Sequence, residues 1–424
     1  MGSELSMATR AEITTKYAKA YKKATKKTKG AVLDEVVAVT GWTRDNARRR
    51  LTQAANHPPG PGRTVATQPR KPRARKYSYD ATRILQRVWA ISGGQCGKYL
   101  HATMQILLDL LEAHHELVPG QGRYTKGVRK ELLMMSPATI DRYLGPVRAK
   151  DAIGGHSTTK PGTLLRSAIT IRRAGDEVEA EPGFFEGDTV AHCGPVESGE
   201  FARTLNLTDF HTGWTYTRTV RNNAHTNILT GLKTAAREIP FQITGLDFDN
   251  GSEFLNQYVI EWAGSRGIYF TRSRPYKKND QATTWSKNNH VVRRYGFYYR
   301  YDTDLERRAL NRLWRLVNDR VNYLMPTIKP TGYSSTRNGR RKRVYDAPRT
   351  PFDRLLDAGV LSPKQVQEMT AYRDSLNPAK IAAEIARVQD RLLVLSREKT
   401  EQLYLASFPS ALPEVRKGVR VKTG

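Results

Sequence analysis

Cysteine is almost missing from this chain: Cys96 and Cys193 are the only two in 424 residues. Two thiols make neither a disulfide framework nor a cysteine-rich zinc site, and a reducing, cytoplasmic setting is the expectation. Long apolar runs are missing too, so a membrane span is not expected. No signal-peptide or lipidation pattern is read, and the opening Met1-Gly2-Ser3 ahead of Met7 reads as an added leader outside the fold. Acidic residues are scarce, with 41 Asp and Glu against 70 Lys and Arg, which leaves a formal charge of +29. That imbalance exceeds what solubility asks of a protein this size, so a polyanion is the expected partner.

Nucleic acid fits that role, because Lys and Arg displace condensed counterions from phosphates and each contact adds to the attraction. An anionic membrane surface fits less well, for no basic amphipathic helix ends in an anchor. RRM, KH and double-stranded-RNA signatures are also absent, which favours duplex DNA. A hydrophobic share of 38% supports packed cores. The length calls for about two to four domains.

The first expected domain is 1–56, a helix-turn-helix DNA-binding module. Residues 10–29 form a helix-compatible basic run, suited either to a phosphate backbone or to a solvated face. VLDEVVAV (32–39) has helical apolar spacing, Thr40-Gly41-Trp42 breaks it, and Thr43 can cap RDNARRRLTQAA. The second helix would present Arg44, Asn46, Arg48 and Arg49 to DNA. A basic Pro/Gly linker follows at 57–78. Region 79–150 reads as a second helical domain. Its HATMQILLDLLEAHHEL is core, with His114 and His115 on a helix face. Ser136 caps Pro137-ATIDRYLGPVR to make another helix-turn-helix candidate, with Thr139, Asp141 and Arg142 facing outward. Residues 151–180 read as a linker.

From 181 to 325 the pattern changes. FFEGDTVAH, FARTLNLTDF and WTYTRTV alternate apolar and polar residues and are rich in β-branched and aromatic types, the marks of three strands. Helix NILTGLKTAAREI, strand QITGLDFD, an Asn250-Gly251 turn, helix EFLNQYVIEWAGSRG and strand IYFTRS come next. A helix then runs around 282–294. Three antiparallel strands followed by alternating helices and strands predict an α/β mixed sheet flanked by helices. Asp188 lies in the first strand and Asp249 closes the fourth. If those strands are neighbours, the two carboxylates converge and need a hard divalent cation. Asp-Asn-Gly is also a common turn formula, so Asp249 can equally be a turn cap. His192 and Cys193 are given no role.

GDTV, LTDFHTGW, FDNGSEF, SRPYKKNDQA and KNNHVVRRY together resemble the catalytic core of integrase-type insertion-sequence transposases of bacteria, the RNase H-like DDE superfamily shared with retroviral integrases. The similarity is strong over about 180–300 and weaker in the flanking modules. It implies that Asp188 and Asp249 are the first two metal-binding acids, with Asp247 a competitor for the second. It also implies Mg2+ or Mn2+ in a two-metal site, binding to terminal inverted repeats and target DNA, 3′-end nicking and strand transfer, and a homo-oligomer on DNA in the nucleoid.

The family pattern puts its third acid, a Glu, after 35 intervening residues, and that position here is Trp285. An indole offers only an N–H donor and cannot ligate Mg2+. Three accounts stand: an inactive variant, a substitute acid such as Asp280 or Glu253, or a shifted frame. KKNDQA and SKNNHVVRR match on both sides and favour the first. Lys287, Asn288, His290, Arg293 and Arg294 follow, expected to grip DNA unless they form only a solvated basic helix. The alternative function is a non-catalytic DNA-binding regulator that uses the RNase H-like domain as scaffold.

Residues 326–424 read as a basic segment followed by helices. LERRALNRLWRLVNDRVNYLM, just before them, should pack on the sheet. Arg340, Arg341, Lys342 and Arg343 suit DNA phosphates, in a stretch that either orders on DNA or serves as a disordered tether. The helices at 361–376 and 382–399 carry apolar stripes suited to a partner helix or second subunit.

Overall fold

The computed structural model describes residues 5–56, 75–148, 170–172, 181–248, 253–254, 256–273, 287–335 and 341–407. The chain divides into two compact units, Met1–Lys76 and Tyr77–Gly424. In the first, α1 (Met7–Lys23), α2 (Lys26–Thr40) and α3 (Arg44–Asn56) close on Tyr21, Leu33, Val36, Ala47 and Leu51. The basic run does not form one helix, because Thr25 caps α2 at the Thr28 amide and restarts the chain. Gly41 ends α2 in the left-handed region at φ 67°, its N–H donating to the Val37 carbonyl. A side chain is disfavoured there, which is why the breaker is glycine. The Thr43 hydroxyl then accepts from the Asn46 amide and opens α3.

The second unit begins with α4 (Tyr79–Ile91), α5 (Gly97–Ala113), α6 (Lys126–Met134) and α7 (Pro137–Arg148). These helices were expected to be a separate domain, but they share a unit with the sheet. Leu110 of α5 belongs to the sheet's hydrophobic core, and the Gln95 amide reaches the Leu324 carbonyl.

Among the described residues one sheet holds β1 (Thr170–Arg172), β2 (Phe184–Ala191), β3 (Arg203–Asp209), β4 (Thr215–Val220), β5 (Gly245–Phe248) and β6 (Tyr269–Ser273), in the order β1-β6-β5-β2-β3-β4. β2, β3 and β4 are antiparallel neighbours, while β5 lies parallel to β2 and β6 parallel to β5. The expectation of a mixed sheet with the first and fourth of its predicted strands adjacent holds. The supposed linker 151–180 supplies a further edge strand, β1, parallel to β6.

Side chains alternate across a strand, so register assigns each residue to a face. One face carries Phe185, Leu205, Leu207, Tyr216, Leu246 and Phe248, and α8 (His225–Glu238) and α9 (Gln257–Ser265) belong to the same core. Gly187 is on this face because a Cβ there would stand 2.1 Å from the Phe248 ring. The other face carries Glu186, Asp188, Thr204, Asn206, Thr208, Thr215, Thr217, Thr219, Asp247 and Thr271.

Over it lie a short helix at 288–296, here α10, and α11 (Asp304–Asp319), whose end continues as the π-helical turn Arg320–Leu324. From this second element Asn311 and Asn322 pair with both the N–H and the C=O of Thr219 and Thr215, and Asn318 reaches the Thr217 carbonyl. Asparagine amides thus stand in for a missing neighbouring strand and close the β4 edge.

The remainder is β7 (Pro330–Ser335), β8 (Arg341–Tyr345), α12 (Pro351–Asp357), α13 (Pro363–Ser375) and α14 (Pro378–Ser407). The basic segment is therefore no tether along 330–335 and 341–345, where it forms an antiparallel ribbon. The stripe Ile381, Ile385, Val388 and Leu392 of α14 is buried in this chain's own core, with α11 as its partner helix. Each such side chain contributes roughly 1.5–3 kcal/mol by leaving water.

Candidate functional site

Among the described residues Asp188 is the one acid of the polar face that is not buried: it is part-exposed, whereas Glu186 and Asp247 are 1% and 0% exposed. Its two carboxylate oxygens accept from the Thr189 amide at 2.7 Å and from the Asn288 side-chain amide at 2.6 Å. Asn288 in turn accepts from Asn206 at 2.8 Å, the residue paired with Asp188 in the β2–β3 register. The start of α10 is thereby clamped onto the middle of β2. Asn288 stands three residues after Trp285 in sequence.

The β2–β5 ladder runs Glu186↔Asp247 and then Gly187↔Phe248. The next residue on each strand is Asp188 and Asp249. Asp249, Trp285, Asp280 and Arg340 lie outside the described residues. Asp247 shares the face of Asp188, as expected, but is enclosed and accepts from the Thr271 hydroxyl at 2.6 Å. It presents no oxygen to solvent. Phe248 and Phe254 stack at 4.0 Å.

Glu253 does not serve as a substitute acid beside Asp188. It accepts from the Thr189 hydroxyl at 3.1 Å and pairs with Arg203 at 3.5 Å. Thr189 and Arg203 point to the opposite face of the sheet.

Among the described residues no group of three His, Cys, Asp or Glu comes together. Asp188 and its neighbouring amide oxygens are the hard donors that Mg2+ takes, but they fall short of a complete shell. The fit to a divalent ion is therefore partial.

The basic residues after Trp285 do not form one uniform face. His290 is exposed. Lys287 is part-buried, and burial pushes its ammonium down to about 8. Arg293 lies 4.8 Å over the Tyr298 ring and burial lowers its guanidinium. Arg294 donates to the Gly93 carbonyl after α4. Residues 288–293 are π-helical, a form concentrated at functional sites, and Val291 and Val292 point inward.

In α3, Arg48 and Arg49 are exposed but engaged along their own helix with Asp45 and Asn46, at 2.6 and 3.2 Å. Arg44 reaches back to Asp34 of α2. In α7, Arg142 is exposed and Thr139 sits at the Ser136 cap. Asp141 is part-exposed but engaged within the chain, since it accepts from the Gly97 amide at 2.7 Å and pairs with Arg148. Arg341, Lys342 and Arg343 form most of β8.

Asn206 and Glu186 were not foreseen. Asparagine is depleted from strands, so an Asn in the centre of RTLNLTD was the available signal. His192 is fully buried, bonded to Thr204 at 2.7 Å, and burial holds its pKa well below the usual range, so it is a neutral core residue.

A family model described as integrase core domain matches residues 179–278. That span contains both Asp188 and Asp249 and ends before Trp285. The uncharacterized protein y4rM of Sinorhizobium fredii (strain NBRC 101917 / NGR234) is 35% identical over 355 residues, 84% of this chain and 97% of that protein. The crystal structure of the catalytic core domain of BIV integrase aligns at 14% identity with a TM-score of 0.29, covering 45% of this chain and 98% of that one. No helix of the described residues is long and apolar enough to cross a membrane.

Proposed function

We propose that this chain, which belongs to the family of y4rM and matches the integrase core domain over 179–278, is an RNase H-like DNA transposase of the DDE superfamily whose catalytic centre is silenced by Trp285. The observation that carries the reading is the β2–β5 register, whose last described pair immediately precedes Asp188 and Asp249. A parallel ladder continued by one residue would align two carboxylates on one face at the C-terminal edge of β5.

Asp188 and Asp249 would hold a divalent ion, which supplies positive charge to the attacking and leaving oxygens of a phosphodiester. Asn288 orients the Asp188 carboxylate and ties α10 to it. Trp285 adds no oxygen there. In the family reaction water breaks one P–O bond to free a 3′ hydroxyl at each inverted repeat, and that hydroxyl attacks a target phosphodiester, forming a new P–O bond as the P–O bond to the target's own 3′ oxygen breaks and that oxygen leaves as a hydroxyl. Arg48, Arg49 and Arg142 would bind duplex DNA from the helical modules, with His290 contacting it near the scissile phosphate. Arg44 and Arg294 have intramolecular partners, and Arg340 to Arg343 complete the basic set. A homo-oligomer would bring two element ends together.

The test is Trp285→Glu on the full chain, assayed with its element-end duplex and Mn2+ for nicking and joining. The variant is expected to gain metal-dependent nicking that Asp188→Asn removes, with calorimetry showing tighter Mn2+ binding. If Trp285→Glu binds the DNA but neither binds metal nor nicks, the catalytic reading falls and the regulator that uses this domain as scaffold replaces it.

A further inference from the structure

Along the described side chains the β7–β8 ribbon has both faces uncovered: residues 331–335 are all exposed although successive side chains alternate, and Val344 and Tyr345 on β8 are exposed too. A two-stranded ribbon with no covered face is only marginally stable in water. Its root is nevertheless firmly built. Thr327 and Arg349 exchange backbone hydrogen bonds of 2.8 and 3.1 Å, and the Lys329 amide donates to Asp346 at 2.7 Å. Arg354, 9% exposed, joins Asp346 and the Thr327 carbonyl. The Lys329 ammonium meets the His211 carbonyl at the β3–β4 turn, which fastens the root to the catalytic sheet.

The two strands differ in chemistry. β7 carries small polar residues, with Ser334 and Ser335 paired to Lys342 and Arg341, and Tyr333 paired to Arg343. β8 has three consecutive cations. We propose that this ribbon is an arm that lies in the major groove of duplex DNA, with β8 towards the phosphates and the small residues of β7 towards the base edges. The inference rests on the DNA-acting reading above. The major groove of undeformed duplex admits a two-stranded ribbon, whereas the minor groove, about 6 Å wide, takes one only when the DNA is bent or widened. Charge complementarity selects the occupant, since the chain as a whole carries +29.

The test uses the full chain and a labelled random-sequence duplex, with anisotropy read across a KCl series and dimethyl sulfate probing of the bound DNA. The triple variant Arg341→Thr, Lys342→Thr, Arg343→Thr keeps strand-favouring residues while removing the charge. It is expected to bind roughly tenfold or more weakly, with a salt slope shallower by about 0.9 for each lost phosphate contact. Guanine N7 protection in the major groove should vanish with it. Arg341→Lys with Arg343→Lys should keep the slope, which separates lost charge from lost folding. An unchanged slope and unchanged N7 protection in the triple variant would overturn the arm and leave the DNA reading standing. Protection of adenine N3 in place of guanine N7 would overturn the groove assignment. If the unaltered chain binds no duplex, the DNA reading itself falls, and the arm with it.

Discussion

The two faces of the central sheet solve the same burial problem with opposite chemistry. One is lined by Phe185, Leu205, Leu207, Leu246 and Phe248 and is held by shape, to the point that Gly187 has no room for a Cβ. The other buries Thr204, Asn206, Thr208, Thr215, Thr217 and Thr219, together with Glu186 and Asp247. Groups of that kind are costly to bury unless each finds a partner. Several find them in a chain of side chains, of which His192, Thr204, Thr219 and Trp314 are one run, at 2.7, 2.8 and 2.6 Å, while the Thr208 hydroxyl has no partner among the described residues. The polar face is also the one that delivers Asp188 to Asn288. Packing thus sets the strand spacing from one side, and directional bonds aim the carboxylate from the other.

The largest effect is expected where the apolar face has no slack. Gly187→Ala would push a methyl group into Phe248, which is stacked on Phe254 and has Asp249 as its next residue. The stability loss should reach the ~3 kcal/mol upper end for overpacking, read as a fall in the urea midpoint at constant slope. A loss well below about 1 kcal/mol would show that this face yields, and the contrast between the faces would be gone.

On the polar face the expected losses are smaller and depend on water access. Asn322→Ala leaves the N–H and C=O of Thr215 unpaired at a buried site and should cost about 2–3 kcal/mol. Asn311→Ala makes the same change at Thr219, but Asn311 is part-exposed, so water can replace the amide and about 1 kcal/mol is expected. Equal losses at the two positions would mean that burial does not govern the asparagine seal.

Much of this was legible in the sequence, and unevenly so. The alternating strands of 184–220 and the amphipathic α11 announce themselves because periodicity reports one buried side. The adjacency of the strands bearing Asp188 and Asp249 was an inference from fold class, and the register bears out the adjacency. The asparagine seal was not legible. Asn311, Asn318 and Asn322 read as polar positions of a helix, and their partners are backbone groups, which carry no sequence signature. β1 was missed because three residues in a Gly- and Ser-rich stretch give too short an alternation. The stripe on α14 was read correctly as apolar, and of the two coverings offered, a partner helix or a second subunit, it takes the first, since amphipathicity says that a face is covered but not by what. Arg44, Arg294 and Asp141 show the same limit for charge: a basic or acidic residue on a helix reads identically whether it faces DNA or an ion pair.

The smallest effect distinguishes the faces by pH. His192 is neutral in the folded protein because burial, then the nearby Arg293 and Arg203, hold its pKa well below the 6.5 of an ordinary histidine. Unfolded, it takes up a proton near 6.5, so in the window below that value the unfolded state binds more protons than the folded one. Its contribution is therefore fully present above pH 6.5 and is lost as the pH falls, at up to ~1.4 kcal/mol per pH unit. His192→Gln keeps an amide within reach of Thr204 and removes the titration. It should be less stable than the unaltered chain near pH 7 and close much of that gap towards about pH 5, as measured by urea unfolding at each pH. A Leu205→Ala variant removes no titrating group and leaves His192 in place, so it should stay parallel to the unaltered chain over the same range. If its curve converged in the same way, the pH dependence would belong to the whole sheet and not to the side that presents Asp188.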